Sequence, residues 1–359
     1  MSWFLAFVGF ALLIILHELG HFTAAKAVGM RVEKFSLFFP PTLASRKVGE
    51  TEYAIGAIPA GGYVKITGMN PDEQLPEEVR DRAYHAQPVW KRIVVIAAGP
   101  FVNLVLAFVL LLSFFWAVGP QDVTSRVAVV EKGFPAAGEL KPDDRIIAVD
   151  GVRGEPEVLS RQIQTHRCPG EPVDGCKAST AATVLVERDG RRLTFELAPV
   201  YDEAAERTRL GFGYAQDGPR ADLPFGEAFT LTTDRFWFIT TATLELPARL
   251  IDPEQRKEIS GVVGGYEVTR QTILNDLEEV IGILAIISLS LAIVNLFPFL
   301  PLDGGHIFWA IVEKVRRRPV PLSVMERSGV IGFMLVIFIF LIGLSNDIDR
   351  LSGEGFNVR

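Results

Sequence analysis

Cysteine is nearly absent from this chain: Cys168 and Cys176 are the only two among 359 residues, so at most one disulfide can brace it. Their separation by eight positions leaves a short-loop disulfide and a pair of unpaired thiols both open, because spacing alone fixes no geometry. Histidine is scarce too, with five residues: His17, His21, His85, His166 and His306. Lys and Arg are missing before Lys26, so the first segment lacks the basic region of a cleavable signal peptide and is expected to remain in the mature protein. Outside two short segments there is no basic surface, and the net charge of -7 is spread over loops, which excludes nucleic acid as a partner. No internal repeat or low-complexity tract is present.

Apolar residue types are abundant, at 49% of the chain. They concentrate in four runs, at 1–28, 93–118, 276–313 and 330–345, each near the length that crosses a bilayer as a helix. The region between the first two, 29–92, carries Arg31, Lys34, Arg46, Lys47, Lys65, Arg80, Arg82, Lys91 and Arg92, and the linker 314–329 carries Lys314, Arg316, Arg317 and Arg318. Positive charge is retained on the cytoplasmic side, so both are expected to face the cytoplasm. The N-terminus, the segment 122–275 and the tail 346–359 then lie outside the cell, and four crossings satisfy every constraint. The expected fold is a polytopic α-helical membrane protein in the inner (cytoplasmic) membrane, with a cytoplasmic β-hairpin region and an inserted extracytoplasmic mixed α/β domain.

Within 29–92, Val32 to Phe38, Glu52 to Ile58 and Tyr63 to Ile66 read as strands, with Pro59-Ala60-Gly61-Gly62 as the turn between the last two. This hairpin either caps the membrane domain or offers an edge, at Gly61, Gly62, Tyr63 and Val64, to which an extended peptide can add as a strand. From 122 to 214 the composition is that of a soluble domain with alternating apolar residues. Residues 215–275 include a polar, Phe-rich stretch, Phe225 to Leu250, expected to lie as an amphipathic helix in the membrane interface.

The chemistry is concentrated in the first run. His17-Glu18-Leu19-Gly20-His21 sets two imidazoles four residues apart, on one face of a helix where both reach one metal ion, with a carboxylate between them able to take a proton from water activated by that metal. Such groups in an apolar helix are costly unless something binds them. A catalytic zinc ion takes three protein ligands, so a third is needed. The stretch Asn295-Leu296-Phe297-Pro298-Phe299-Leu300-Pro301-Leu302-Asp303-Gly304-Gly305-His306 breaks the third run with prolines and glycines, and Asp303 there is expected to complete the set. His306 is the weaker alternative; His85 and His166 read as ordinary histidines of soluble segments. The pair Gly99-Pro100 with Asn103 in the second run fits either close packing against the first run or a direct role for Asn103.

Two resemblances add to this reading. Gly133-Phe134-Pro135-Ala136-Ala137-Gly138-Glu139-Leu140 through Asp150-Gly151 is similar to the signature segment of a bacterial PDZ domain, which implies a groove for a peptide or a free C-terminus. The His-Glu-x-x-His motif, Gly61-Gly62-Tyr63-Val64-Lys65, Gly99-Pro100 with Asn103, a single PDZ-like insert, and Asn295 with Pro298, Pro301 and Leu302-Asp303-Gly304-Gly305 together resemble the bacterial site-2 proteases, within them the regulator of sigma-E protease group. The resemblance implies a zinc metalloendopeptidase with His17, His21 and Asp303 on Zn2+ and Glu18 as the catalytic base, and substrate contacts at the hairpin edge, Asn295, Pro298 and Pro301. It implies a single-span, membrane-anchored substrate of the anti-sigma factor type, trimmed beforehand by a site-1 protease. Two other readings stand beside it: a catalytically silent membrane-anchored PDZ module, which needs no zinc, and a metal or ion transporter, which predicts flux without hydrolysis.

Overall fold

The structure, a computed structural model, describes residues 2–70, 73–203, 205–275 and 278–352. The chain folds as two compact units, Gly119–Asp222 and the sequence on either side of it. In chain order the elements are α1 (Ser2–Ala27), β1 (Val32–Val48), β2 (Thr51–Ile66), α2 (Glu77–Arg80) and α3 (Val89–Ser113). Then come β3 (Gln121–Val130), β4 (Arg145–Val149), α4 (Pro156–Ile163), β5 (Ala182–Arg188), β6 (Arg191–Leu197), β7 (Val200–Asp202), β8 (Arg207–Arg209) and β9 (Phe212–Arg220). The chain closes with α5 (Phe225–Leu244), α6 (Leu246–Arg249), α7 (Pro253–Glu258), α8 (Val262–Asn275), α9 (Glu279–Asn295), α10 (Asp303–Arg316) and α11 (Leu322–Ser352).

In the unit that holds the metal motifs, three helical stretches are long and apolar enough to cross a membrane: Phe4–Ala27, Val89–Val118 and Leu322–Ser352. An unbroken apolar stretch must satisfy its backbone internally if it sits in lipid, and a helix does so. The expected third span, 276–313, differs: α9 is a shorter apolar helix that ends at Asn295, residues 296–302 form turns, and α10 restarts at Asp303. Pro298 and Pro301 lack the N–H groups a continuous helix needs, so the break falls where they lie. The last helix is longer than the apolar run 330–345. Its polar end stays helical because Asn346 donates to the carbonyls of Arg256 and Ile259, both at 2.8 Å, and the buried Asp347 accepts from Ser260, Gly261 and Gly264 at the start of α8. The expected tail is helical to Ser352, and residues 353–359 lie outside the described residues.

The hairpin region also departs from expectation. The chain reverses at Gly49-Glu50, and β2 runs on through Pro59–Gly62, which bends inside a strand rather than ending one. The cause is double pairing: residues 34–37 of β1 pair with 62–65 on one side and with 52–55 on the other, so β2 must fold around β1. Residues 42–48 pair in turn with 51–56. The turn is tied to the membrane unit through Glu50, whose carboxylate accepts from Arg82 at 2.8 Å by both terminal nitrogens and from Lys26 at 2.7 Å. The Arg82 and Lys26 hydrogen bonds hold the Glu50 carboxyl down at about 2. A group whose folded pKa is depressed stabilises the fold above its unfolded value and loses that contribution as pH falls toward the folded one. Replacing Glu50 by Gln is therefore expected to lower Tm by the equivalent of about 1 kcal/mol at neutral pH, the scale of two partly exposed ion pairs. The gap from wild type should stay constant down to about pH 4.5 and close between there and about pH 2; a gap that ignores pH would contradict it.

The polar-looking α5 packs against α3 and α9, with Ala228, Thr232, Ile239 and Thr243 buried and the Phe108 ring 5.7 and 5.8 Å from those of Phe229 and Phe236. Its threonines return their hydroxyl hydrogens to carbonyls four residues back, as in Thr232 to Ala228 and Thr243 to Ile239. A threonine bonded in this way presents mainly its methyl group outward.

The second unit is a five-stranded sheet in the order β6-β5-β4-β3-β9, with α4 against it and β7-β8 as a separate pair. Val127, Val149, Leu159, Val184, Val186 and Leu210 form its core. Cys168 and Cys176 are joined as a disulfide with their Cα atoms 6.1 Å apart, which decides between the two states left open by their spacing.

Candidate metal centre

On α1, His17 and His21 are both buried, one turn apart, with their Nε2 atoms 3.2 Å from each other. Asp303, the first residue of α10, brings Oδ2 to 3.2 Å from His17 Nε2 and 3.3 Å from His21 Nε2. Three lone-pair-bearing atoms converge here, and in a low-dielectric surrounding they repel unless a cation lies among them. A tetrahedral zinc site with bonds of about 2.0–2.1 Å has ligand-to-ligand edges of about 3.3–3.4 Å, so the donor set fits that ion. Among the described residues this trio is the one His/Cys/Asp/Glu cluster of ligating geometry. His306, one turn along α10, is outside it. His85 Nδ1 lies 2.9 Å from the carbonyl of Gly68, and His166 bridges Asp150 and Thr180 at 2.8 and 2.7 Å.

The break before α10 sets the carboxylate in place. Residues 296–302 fold back over the first turn of α10 so closely that a Cβ on Gly304 would stand 2.1 Å from the carbonyl oxygen of Leu296. Only glycine allows that approach, and the helix starts with Asp303 at its positive end, where a carboxylate is favoured. Farther along, α10 is held to α3 by the Arg92–Glu313 pair, with contacts of 2.6 and 3.0 Å and the Tyr84 ring 5.8 Å from the Arg92 guanidinium.

The contacts behind the histidines come from α3. His21 Nδ1 is 2.9 Å from the carbonyl oxygen of Val95, which leaves Nε2 to face Asp303. Gly99 lies directly against the ring: a Cβ there would be 2.2 Å from His21 Nε2. Gly99-Pro100 therefore serves close packing of α3 on α1. Glu18, between the histidines and half-buried, lies beside the hairpin, since a Cβ on Gly62 would be 3.0 Å from Glu18 Cγ. Of the other expected substrate contacts, Gly61 and Tyr63 flank Gly62, with Tyr63 stacked on Phe39, and Val64 packs on the core beneath. Asn295 ends α9, and Pro298 and Pro301 lie exposed on the turn before Asp303.

A family model described as Peptidase family M50 matches residues 5–339. The chain belongs to that peptidase family. The peptidase is similar over nearly its whole length to several curated bacterial proteins. One from Campylobacter jejuni, whose name reads "Putative zinc metalloprotease", is 30% identical over 95% of this chain and 92% of its own. One of the same designation from Nostoc is 30% identical over 96% and 93%, and one from Fusobacterium nucleatum 28% over 98% and 99%. The expected enzyme class, a zinc metalloprotease, and the expected cofactor, Zn2+, agree with this membership.

Sequence reasoning missed the Val95 carbonyl and the Arg92–Glu313 clamp. A backbone acceptor leaves no trace in residue identity, and Arg92 reads simply as one more basic residue at a membrane edge. Glycine beside proline at 99–100 carried a signal for close packing, but nothing in it named His21 as the group packed.

Proposed function

We propose that this peptidase hydrolyses a peptide bond within or near the membrane-spanning segment of a single-span, membrane-anchored substrate of the anti-sigma factor type, after a site-1 protease has trimmed it. The observation that carries the reading is the position of the donor set: two ligands belong to an apolar helix of membrane-crossing length, and the third starts a helix just past a break in another apolar segment. The metal is then at membrane depth, where a soluble peptidase would have no reason to keep it.

His17, His21 and Asp303 hold zinc. When bound, zinc supplies a Lewis acid for the scissile carbonyl and brings the pKa of a water down to roughly 7. Glu18 takes the proton of the attacking water and passes it to the leaving amine. A substrate helix hides its peptide bonds, so the cleaved segment must be extended. Among the described residues, 62–66 pair on one side only, with β1, and Gly62 lies against Glu18, so a strand added to this edge is delivered to the base. Asn295, with Pro298 and Pro301, contacts the substrate from the broken turn.

The fold is four crossings of the inner (cytoplasmic) membrane. The basic segments 29–92 and 314–329 and the metal site face the cytoplasm; both termini and the second unit lie outside. That unit is PDZ-like and takes a peptide or a C-terminus at its groove. The test is reconstitution of the purified protein in vesicles with candidate single-span anti-sigma factors already cut outside the membrane. Mass spectrometry should locate a cut inside or beside the span, abolished by a zinc chelator and restored by zinc. Cleavage confined to the soluble part of the substrate, or zinc flux without cleavage, would sink the proposal.

A further inference from the structure

An imidazole that binds a metal through one ring nitrogen donates the other N–H to an acceptor, which fixes the tautomer and aims the ring. Both histidines turn Nε2 toward Asp303, so two Nδ1–H groups need partners. His21 has the Val95 carbonyl. His17 Nδ1 is buried and has no partner among the described residues. The facing helix shows the complementary deficit: Asn103 on α3 is 0% exposed, and neither Oδ1 nor Nδ2 of its carboxamide has a partner among the described residues. A buried polar group left unpaired is strongly disfavoured, and two such groups of opposite character in one layer relieve each other.

Helix register places them in that layer. Lys91 Nζ reaches the carbonyl of Val28 at 3.0 Å, while Val95 and Gly99 meet His21, so residue numbers rise along α3 as they fall along α1. Four residues back from His21 is His17, and four residues on from Gly99 is Asn103. The backbone of Asn103 is held from the other side, where the Ser288 hydroxyl on α9 donates to its carbonyl at 3.0 Å.

We propose that Asn103 is a positioning residue for the metal centre: its Oδ1 accepts the His17 Nδ1–H, directly or across one buried water, and so aims Nε2 at the metal. The proposal rests on His17 being a ligand. It assigns to the second half of the Gly99-Pro100-x-x-Asn103 segment a task distinct from the helix packing served by the first half.

The readout is zinc affinity of the full-length protein in detergent, measured by chelator competition. Asn103→Leu keeps the branched shape of the side chain and removes the acceptor, and it should weaken zinc binding about 10- to 100-fold. Asn103→Asp keeps an acceptor and should bind at least as tightly as wild type. In a His17→Cys background, where the ligand has no second N–H to be held, Asn103→Leu should cause no further loss. Unchanged affinity in Asn103→Leu, or an equal loss in both backgrounds, overturns the proposal. If Asn103→Leu does not fold, weaker zinc binding by a folded Asn103→Asp protein overturns it alone. Unchanged zinc affinity in His17→Ala would remove the metal-site reading together with this one, whereas insensitivity to Asn103→Leu removes only this one.

Discussion

Glu18→Gln is expected to slow peptide-bond cleavage by roughly 10²- to 10⁴-fold, the range that a positioned general base contributes, while zinc stays bound. The carboxamide matches the carboxylate in shape and still hydrogen-bonds, but it cannot take a proton. Glu18 lies outside the trio whose ligand atoms converge, so its neutralisation removes no metal ligand. A Cβ on Gly62 of β2 would stand 3.0 Å from Glu18 Cγ, so Glu18 lies against the sheet edge proposed for the substrate. Zinc stoichiometry and product formation should be measured on the same preparation. Full zinc with retained cleavage would remove the base assignment, and loss of zinc would mean that Glu18 acts in holding the ion.

Gly99→Ala should empty the same site by steric means. In an exposed helix interior this substitution stabilises by roughly 1 kcal/mol, because alanine is the better helix former. Here the added methyl carbon would stand 2.2 Å from His21 Nε2, 2.6 Å from Cε1 and 2.8 Å from Cδ2. No rotation of a ring already fixed through Nδ1 to Val95 clears three of its atoms at once. Either the ring leaves its place or α3 moves off α1, to which it is packed so closely that a Cβ on Gly20 would stand 2.6 Å from the Ala98 carbonyl oxygen. Overpacking of this kind costs about 1–3 kcal/mol, which outweighs the helix gain. The expected result is a folded protein with little bound zinc and a Tm that no longer rises when zinc is added. A full complement of zinc in this variant would contradict the packing of α3 on the histidines.

What the sequence made legible follows from side-chain chemistry. Two histidines and a glutamate in an apolar helix, and an aspartate after two prolines, are each expensive where they stand, and their cost pointed to a common site before any distance was known. Pro298 and Pro301 also announced the break between α9 and α10, since they act on the backbone directly. The hairpin was misjudged because Pro59-Ala60-Gly61-Gly62 carries the residues of a turn, while the chain reverses at Gly49-Glu50; only the pairing of residues 34–37 on both edges decides between them. The length of α11 depended on Asn346 and Asp347 finding partners around residues 256–264, a contact between segments far apart in sequence. The face of α5 that meets α3 and α9 was hidden because composition counts a threonine as polar whether or not its hydroxyl is bonded to its own helix, while Phe225, Phe229, Trp237 and Phe238 on the rest of the helix stay exposed. The acceptor behind His21 left no trace because it is a main-chain carbonyl, whereas Asn103 already stood out beside Gly99-Pro100.

In the proposed four-crossing topology, the short length of α9 has a consequence for the bilayer itself. Seventeen residues of helix extend about 26 Å, several ångströms less than the roughly 30 Å of a hydrocarbon core. Lipid around such an element must thin, or leave the turn at 296–302 in contact with water. Hydrolysis consumes a water molecule at every turnover, and a site enclosed by full-length spans would receive it slowly. In that topology, α9 by stopping short would let the aqueous phase dip to the level where α10 begins. Membrane thickness then becomes a variable of the reaction, with turnover expected to fall as the acyl chains of reconstituted vesicles are lengthened.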